Sequence, residues 1–318
     1  MRIVFMGTPD FAVPSLNAVL KSDDQVIGVV TQPDRPKGRG QHLAPSPVKI
    51  VAERERIPVL QPTKMKDAAF LATLSKWQPD IIAVAAFGRI LPPAILSLPP
   101  LRCINVHASL LPKYRGAGPI QWALINGDHE TGITTMLMEE GMDTGPLLLQ
   151  EKMSIRPDDT AGSLSPRLAE LGGRLLAATL LQWKAGTLVP RPQDDSQATL
   201  APLLKKEDGM IDWTMPATAI ANRIRGLTPW PGAYTFADTE RWTIYRALAL
   251  NETVMQPPGH VTAVKKDAIH VSTGQGTLAI HELQPANGRR MSTAQYLSGH
   301  PIEIGVRLGV SRRDPPAM

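Results

Sequence analysis

Asn105 and His107 stand two residues apart in Cys103-Ile-Asn-Val-His107, a short apolar run that reads as a strand. Two-residue spacing on a strand turns both side chains to one face. A carboxamide N–H beside an imidazole suits acyl transfer, because the amide stabilises a developing oxyanion and the imidazole assists it or moves a proton. Transfer to an amine also requires that the amine lose a proton, and histidine is the natural relay near neutral pH. An aspartate would hold that imidazole in one tautomer. Asp143, in Gly141-Met-Asp-Thr-Gly145 after the apolar run 131–139, is the candidate. Each residue alone has an ordinary alternative: a hydrogen-bonding histidine at a strand end, an asparagine closing a turn, an Asx-turn at Asp143.

These residues need a scaffold that presents strand ends. Residues 2–6, 25–31, 58–60, 81–85 and 103–107 are short apolar or β-rich runs without a polar face. Helical patterns lie between them: one after Gly7-Thr-Pro-Asp10 with Pro14 in its first turn, one capped by Ser46, and one capped by Asp67. Strands apolar on both faces, alternating with helices, predict a parallel sheet covered on both sides, with ligands at the carboxyl ends of its strands. Asn105 and His107 occupy such an end.

A helix over 163–184 closes a catalytic domain expected at 1–184. Residues 185–203 lose hydrophobic periodicity and gather Pro, Gln and Asp, which predicts a linker. A second domain is expected over 204–311, with a helix near 217–226 and β-rich runs at 232–237, 241–250, 259–264, 268–273 and 277–283. That spacing indicates a small antiparallel barrel or sandwich. Ser292-Thr-Ala-Gln295 reads as a capping box, and 311–318 as a loose tail.

The segment Cys103-Ile-Asn-Val-His-Ala-Ser-Leu-Leu-Pro-Lys-Tyr-Arg-Gly-Ala-Gly-Pro-Ile-Gln-Trp122 resembles the signature of folate-dependent formyltransferases, and Met142-Asp-Thr-Gly145 resembles that family's aspartate loop. The resemblance spans nearly the whole chain. It implies a Rossmann-like first domain, an OB-like β-barrel second domain, and Asn105, His107 and Asp143 as the catalytic trio. It implies 10-formyltetrahydrofolate as donor, with Ser109, Leu110, Leu111 and Pro112 at the folate. Phe87 and Gly88 belong to Ala85-Ala-Phe-Gly-Arg-Ile-Leu91, which resembles the loop lining the pterin pocket.

The signature does not choose the acceptor, since relatives that formylate a purine-pathway nucleotide or a nucleotide-linked amino sugar share the trio. The stretch 31–49 carries Arg35, Lys37, Arg39 and Lys49 with no acidic residue from 35 to 52. Glycines and prolines at 36, 38 and 40 are expected to keep it out of helix and strand. A basic loop beside a strand's carboxyl end is placed to grip phosphates, although most basic loops are simply solvated. This one resembles the loop that members acting on initiator methionyl-tRNA set against the acceptor end. That makes Arg39 the residue expected at tRNA, supported by Arg35 and Lys37. Lys206–Trp213 and Arg223–Tyr234 resemble the second domain of the same branch, and core packing and turn formation are expected for Trp213, Trp230 and Pro231. One departure stands at the linker end, where Leu203-Leu204 precede Lys205-Lys206 and displace a basic position.

Composition agrees without deciding. A formal charge of +5 permits a nucleic-acid partner and does not demand one. A single cysteine, Cys103, excludes an internal disulfide. The seven histidines lack metal-ligand spacing, so no metal is expected. No membrane segment or transit segment is visible, and a cytoplasmic monomer is expected. A nicotinamide oxidoreductase would want G-x-G-x-x-G where Gly7-Thr-Pro-Asp-Phe-Ala stands. A purely RNA-binding protein would have no use for the trio.

Overall fold

In a computed structural model, residues 1–37, 42–252 and 255–309 are described. The chain divides into two compact units: Met1–Pro119, Glu130–Ser154 and Ser165–Pro202 form the first; Ile120–His129, Ile155–Leu164 and Leu203–Met318 form the second.

The first unit is built on β1 (Arg2–Gly7), β2 (Gln25–Val30), β5 (Val59–Leu60), β6 (Ile81–Ala85), β7 (Cys103–His107), β8 (Glu130–Leu137) and β9 (Leu147–Ser154). Their order across the sheet is β5-β2-β1-β6-β7-β8-β9. Every residue of β6 and all but the first of β1 are buried, as expected of central strands with both faces covered. The sheet departs from an all-parallel expectation at one edge, where β7–β8 and β8–β9 pair antiparallel. The tight connection Met138–Pro146 reverses the chain there, and so short a connection permits only an antiparallel neighbour.

Helices α1 (Val13–Leu20), α2 (Pro47–Arg54), α3 (Ala68–Lys76), α4 (Pro93–Leu96) and, from Ser165 on, α6 (Ala161–Lys184) complete the layers, while α5 (Pro119–Ile125), which follows the site loop, belongs from Ile120 on to the second unit. The side chains of Ser46 and Asp67 accept the backbone N–H of Lys49 and Phe70, so both predicted caps are made. Helix α6 lies close to the site strand because of Gly172 and Gly173. A Cβ at 172 would meet Val106 Cγ1 at 3.0 Å, and one at 173 would meet the Pro14 carbonyl at 2.7 Å.

Glycines and prolines do not keep the basic stretch out of a strand. β3 (Arg35–Lys37) and β4 (His42–Ala44) pair antiparallel as a separate ribbon, with Pro36 opposite Leu43. A two-stranded ribbon has an outer edge on each strand, and there the missing proline N–H costs no ladder bond.

The second unit is an antiparallel sheet of β10 (Ala233–Ala237), β11 (Glu240–Leu250), β12 (Val261–Val264), β13 (Ile269–Ser272), β14 (Thr277–Pro285) and β15 (Met291–Ser292), with α7 (Ala217–Leu227) and α8 (Thr293–Leu297). Five strands run in the order β10-β11-β14-β13-β12, and β15 joins β14. Ala217, Ile220, Ile224 and Leu227 recur at helical spacing and bury one face of α7 among Trp213, Trp242 and Ile244. Ser292 and Gln295 complete the capping box in both directions. Trp213 packs in the core and donates its ring N–H to Thr235 Oγ1. Trp230, for which core packing was expected, is half exposed.

Candidate functional site

Strand β7 delivers Asn105 and His107 beside the carboxyl end of β6, with Ala85 opposite Val106. Asn105 is half-buried, and its carboxamide has no hydrogen-bond partner among the described residues. His107 is buried at 6% exposure. Its Nε2 lies 2.9 Å from the Tyr114 carbonyl oxygen. That oxygen only accepts, so Nε2 carries a proton. Nδ1 then faces Asp143 Oδ2 across 3.5 Å, longer than a good hydrogen bond. The Tyr114 carbonyl, not Asp143 alone, therefore orients the ring. Asp143 Oδ2 is itself held by the Gly116 N–H at 2.9 Å.

The chain after β7 folds back over the strand end. Thr134 of β8 joins the two limbs: its hydroxyl donates to the Ser109 carbonyl at 2.7 Å and accepts the Leu111 N–H at 3.1 Å. Gln150 donates to the Leu111 carbonyl at 2.8 Å. The Ser109 hydroxyl is spent on the Lys113 carbonyl, and Leu111 packs with Met136 and Leu147. Ser109 and Leu111 thus shape the loop, while Leu110 and Pro112 keep partly exposed surface. Left-handed backbone at Ala86, Tyr114 and Asp143 costs on the order of 1 kcal/mol each, and all three flank this site.

Phe87 is buried in the core, and Gly88 beside it is exposed. The Phe87 carbonyl accepts Gln32 Nε2 at 2.8 Å, and Gln32 Oε1 accepts Arg35 Nη2. Gln32 therefore joins the loop at the end of β6 to the basic ribbon. Thr8, Gln32, Arg35, Ser46 and Ala86 line a cleft of about 420 Å³ there, walled by prolines. Of the basic residues, Arg35 is exposed, Lys37 lies in β3, and Arg39 falls outside the described residues. Lys49 is not an available cation, since it pairs with Asp34 at 2.6 Å.

Of residues 185–203, expected as a linker, those up to Pro202 belong to the first unit and include a strap on it. Tyr114 N–H donates to Thr199 Oγ1 at 2.9 Å, and Arg115 pairs with Leu200 as an isolated parallel bridge, donating its N–H to the Thr199 carbonyl and accepting the Ala201 N–H, each at 2.8 Å. Gln193 donates to the carbonyls of Asp143 and Gly145 at 2.8 Å each. Thr134, Gln150, Gln193 and Arg115 escaped the sequence reading. Polar side chains that bond to backbone carbonyls leave no periodic signal.

Burial pushes the Cys103 thiol up to about 12, so it is no thiolate nucleophile near neutral pH. No group of three or more His, Cys, Asp or Glu side chains suited to a metal occurs among the described residues, and no described helix is long and apolar enough to cross a membrane. The candidate site offers one carboxamide, one imidazole and one carboxylate, groups that could serve acyl transfer without a covalent enzyme intermediate.

Known proteins agree with that chemistry. The family model for formyl transferase matches residues 1–180, and that for the formyl transferase C-terminal domain matches 203–301. A methionyl-tRNA formyltransferase of Pelotomaculum thermopropionicum is 52% identical over 97% of this chain and 99% of its own. That of Trichlorobacter lovleyi is 50% identical over 96% of each. Among solved structures, an N-formyltransferase of Helicobacter canadensis bound to folinic acid and dTDP-3-aminofucose shares the fold (TM-score 0.65, 18% identity, 92% of this chain and 100% of that one). So does HypX of Aquifex aeolicus with tetrahydrofolic acid (TM-score 0.60, 19% identity, 93% of this chain and 47% of that one). From its sequence match over both domains and its relatives at half identity, the chain belongs to the formyl transferase family, alongside the methionyl-tRNA formyltransferases.

Proposed function

We propose that this enzyme moves the formyl group of 10-formyltetrahydrofolate to the amino group of methionyl-initiator-tRNA, for translation initiation, with Asn105, His107 and Asp143 as its catalytic residues. The observation that carries the reading is the convergence of an unpartnered carboxamide, a doubly contacted imidazole and a held carboxylate at the end of β7. Full-length similarity to methionyl-tRNA formyltransferases supports the acceptor.

The amine attacks the formyl carbon, forming a C–N bond and a tetrahedral carbon. The Asn105 N–H stabilises its oxyanion. The imidazole and carboxylate of His107 and Asp143 take the proton the amine must lose. The C–N bond to the folate then breaks, the carbonyl reforms, and the departing folate nitrogen receives a proton. One formamide and one tetrahydrofolate leave, so atoms and charge balance. Leu110 and Pro112 line the donor side with Phe87 and Gly88. Arg35, Lys37 and Arg39 meet the acceptor's phosphates, and Gln32 ties that ribbon to the donor loop.

Steady-state turnover with both substrates saturating tests the assignment. His107→Ala and Asp143→Ala should each lower kcat by orders of magnitude. Turnover near wild type in either variant removes that residue from the mechanism.

A further inference from the structure

Asp143 sits in the left-handed backbone region, which aspartate enters more readily than most residues but still at a cost, with φ at +56°. Its loop must be held from outside. The Gly116 N–H fixes the carboxylate, but the main chain is held by a residue that nothing above makes part of the reaction. Gln193 presents both amide hydrogens to the loop, one to the Asp143 carbonyl and one to the Gly145 carbonyl, each at 2.8 Å. Its own oxygen accepts twice from Arg115, from Nε at 3.1 Å and Nη2 at 2.8 Å. Two donors and two acceptor sites are all a glutamine amide has, and here all are used.

Arg115 is buried at 8% exposure, and its Nη2 also reaches Asp195 at 2.7 Å. A guanidinium on the amide oxygen polarises the amide and strengthens what its N–H groups donate. Arg115 directly precedes Gly116, whose N–H holds the Asp143 carboxylate. One clamp therefore grips Asp143 by side chain and main chain together. We infer that Gln193, backed by Arg115, is a positioning residue that sets Asp143 against His107, so that the strap at 191–201 is part of the catalytic apparatus rather than a passive connection. The inference rests on the proposed role of Asp143.

A double-mutant cycle on the full-length enzyme tests it. Gln193→Ala and Gln193→Glu should each lower kcat about 10- to 100-fold, the scale of a catalytic group displaced by an ångström, and change the KM of either substrate by less than about two-fold. The glutamate variant retains acceptors for Arg115 but has no N–H for the two carbonyls, so it isolates the donation. Both should alter the pH profile of kcat. In an Asp143→Ala background the same changes should cost nothing further, because their effect passes through Asp143. Arg115→Lys, which removes the fork, should give a smaller loss of the same kind and keeps the test available if Gln193→Ala fails to fold. Full turnover in Gln193→Glu overturns the inference, as does an undiminished loss in the Asp143→Ala background or a loss confined to KM. Wild-type turnover in Asp143→Ala itself would instead overturn the role of Asp143, a different failure.

Discussion

Around His107, the polypeptide ties its polar groups to one another; in the basic stretch, Arg35 stands exposed. At the strand end, Thr134, Gln150, Gln193 and the Gly116 N–H fix four separate backbone or side-chain positions, and strained residues are held where the chain would not otherwise place them. In the ribbon, Arg35 is exposed and donates to the neutral amide of Gln32. Under the proposed function, the difference follows from the work asked of each region. A tetrahedral oxyanion must meet a donor within a few tenths of an ångström, so the groups around it are fixed in advance. Phosphates are bound by charge at longer range, so reach matters more than fixed geometry.

Asn105→Ala should give the largest effect. Removing the single oxyanion donor should lower kcat about 10²- to 10³-fold. Because the loss is in the chemical step, it should be indifferent to salt, and rapid-mixing kinetics at two ionic strengths would show this. A strong salt dependence of the defect would place Asn105 with the docking residues instead. Arg39→Ala and Arg35→Ala should behave oppositely. They should raise KM for charged tRNA about ten-fold at physiological salt and flatten the dependence of log KM on log salt by about one unit per phosphate lost. Folate affinity should stay unchanged; its loss in the Arg39 variant would break the division between the two regions.

Two smaller effects concern the scaffold. Ser46→Ala removes the cap of α2 and leaves the buried Thr31 hydroxyl without its 2.7 Å partner. Denaturant titration should show a loss of about 1–2 kcal/mol, with kcat nearly intact. The smallest is a pH effect remote from both regions. Burial alone would raise the Asp24 carboxyl, but hydrogen bonds from Lys184 and the terminal ammonium outweigh it and hold the group below its usual 3.8. A depressed carboxyl stabilises the fold above its unfolded value and loses that contribution as pH falls toward the folded one. Asp24→Asn should therefore lower stability at neutral pH, and the gap from wild type should narrow below pH ~4. Thermal melts across pH 3–7 read this directly.

Legibility in the sequence divides along physical lines. Local, short-range features were plain: Ser46, Asp67 and Ser292 announce helix starts because a cap is a contact over three residues. Strands β1, β6 and β7 were plain because burial on both faces makes them apolar, apart from Arg2 at the start of β1 and from Asn105 and His107 in β7. The antiparallel edge was not, since β9 mixes Leu147-Leu148-Leu149 with Gln150-Glu151-Lys152 and carries no clean period. The ribbon was hidden by Pro36, which a free edge tolerates. At the candidate site, the approach of Asp143 to His107 was legible from residue type and spacing joined to the family signature. Gln193, Arg115 and Tyr114 were not. A glutamine 50 residues from the aspartate it holds, and a backbone carbonyl that orients a histidine, leave no trace in composition or periodicity.

The most direct test of the central claim is acceptor choice under one set of conditions. Formyl transfer from 10-formyltetrahydrofolate would be followed to charged initiator methionyl-tRNA, to elongator methionyl-tRNA and to a UDP-linked amino sugar. Selective formylation of the initiator is the predicted result. Transfer to the sugar with none to either tRNA would leave the reaction chemistry standing and contradict the assignment of the acceptor.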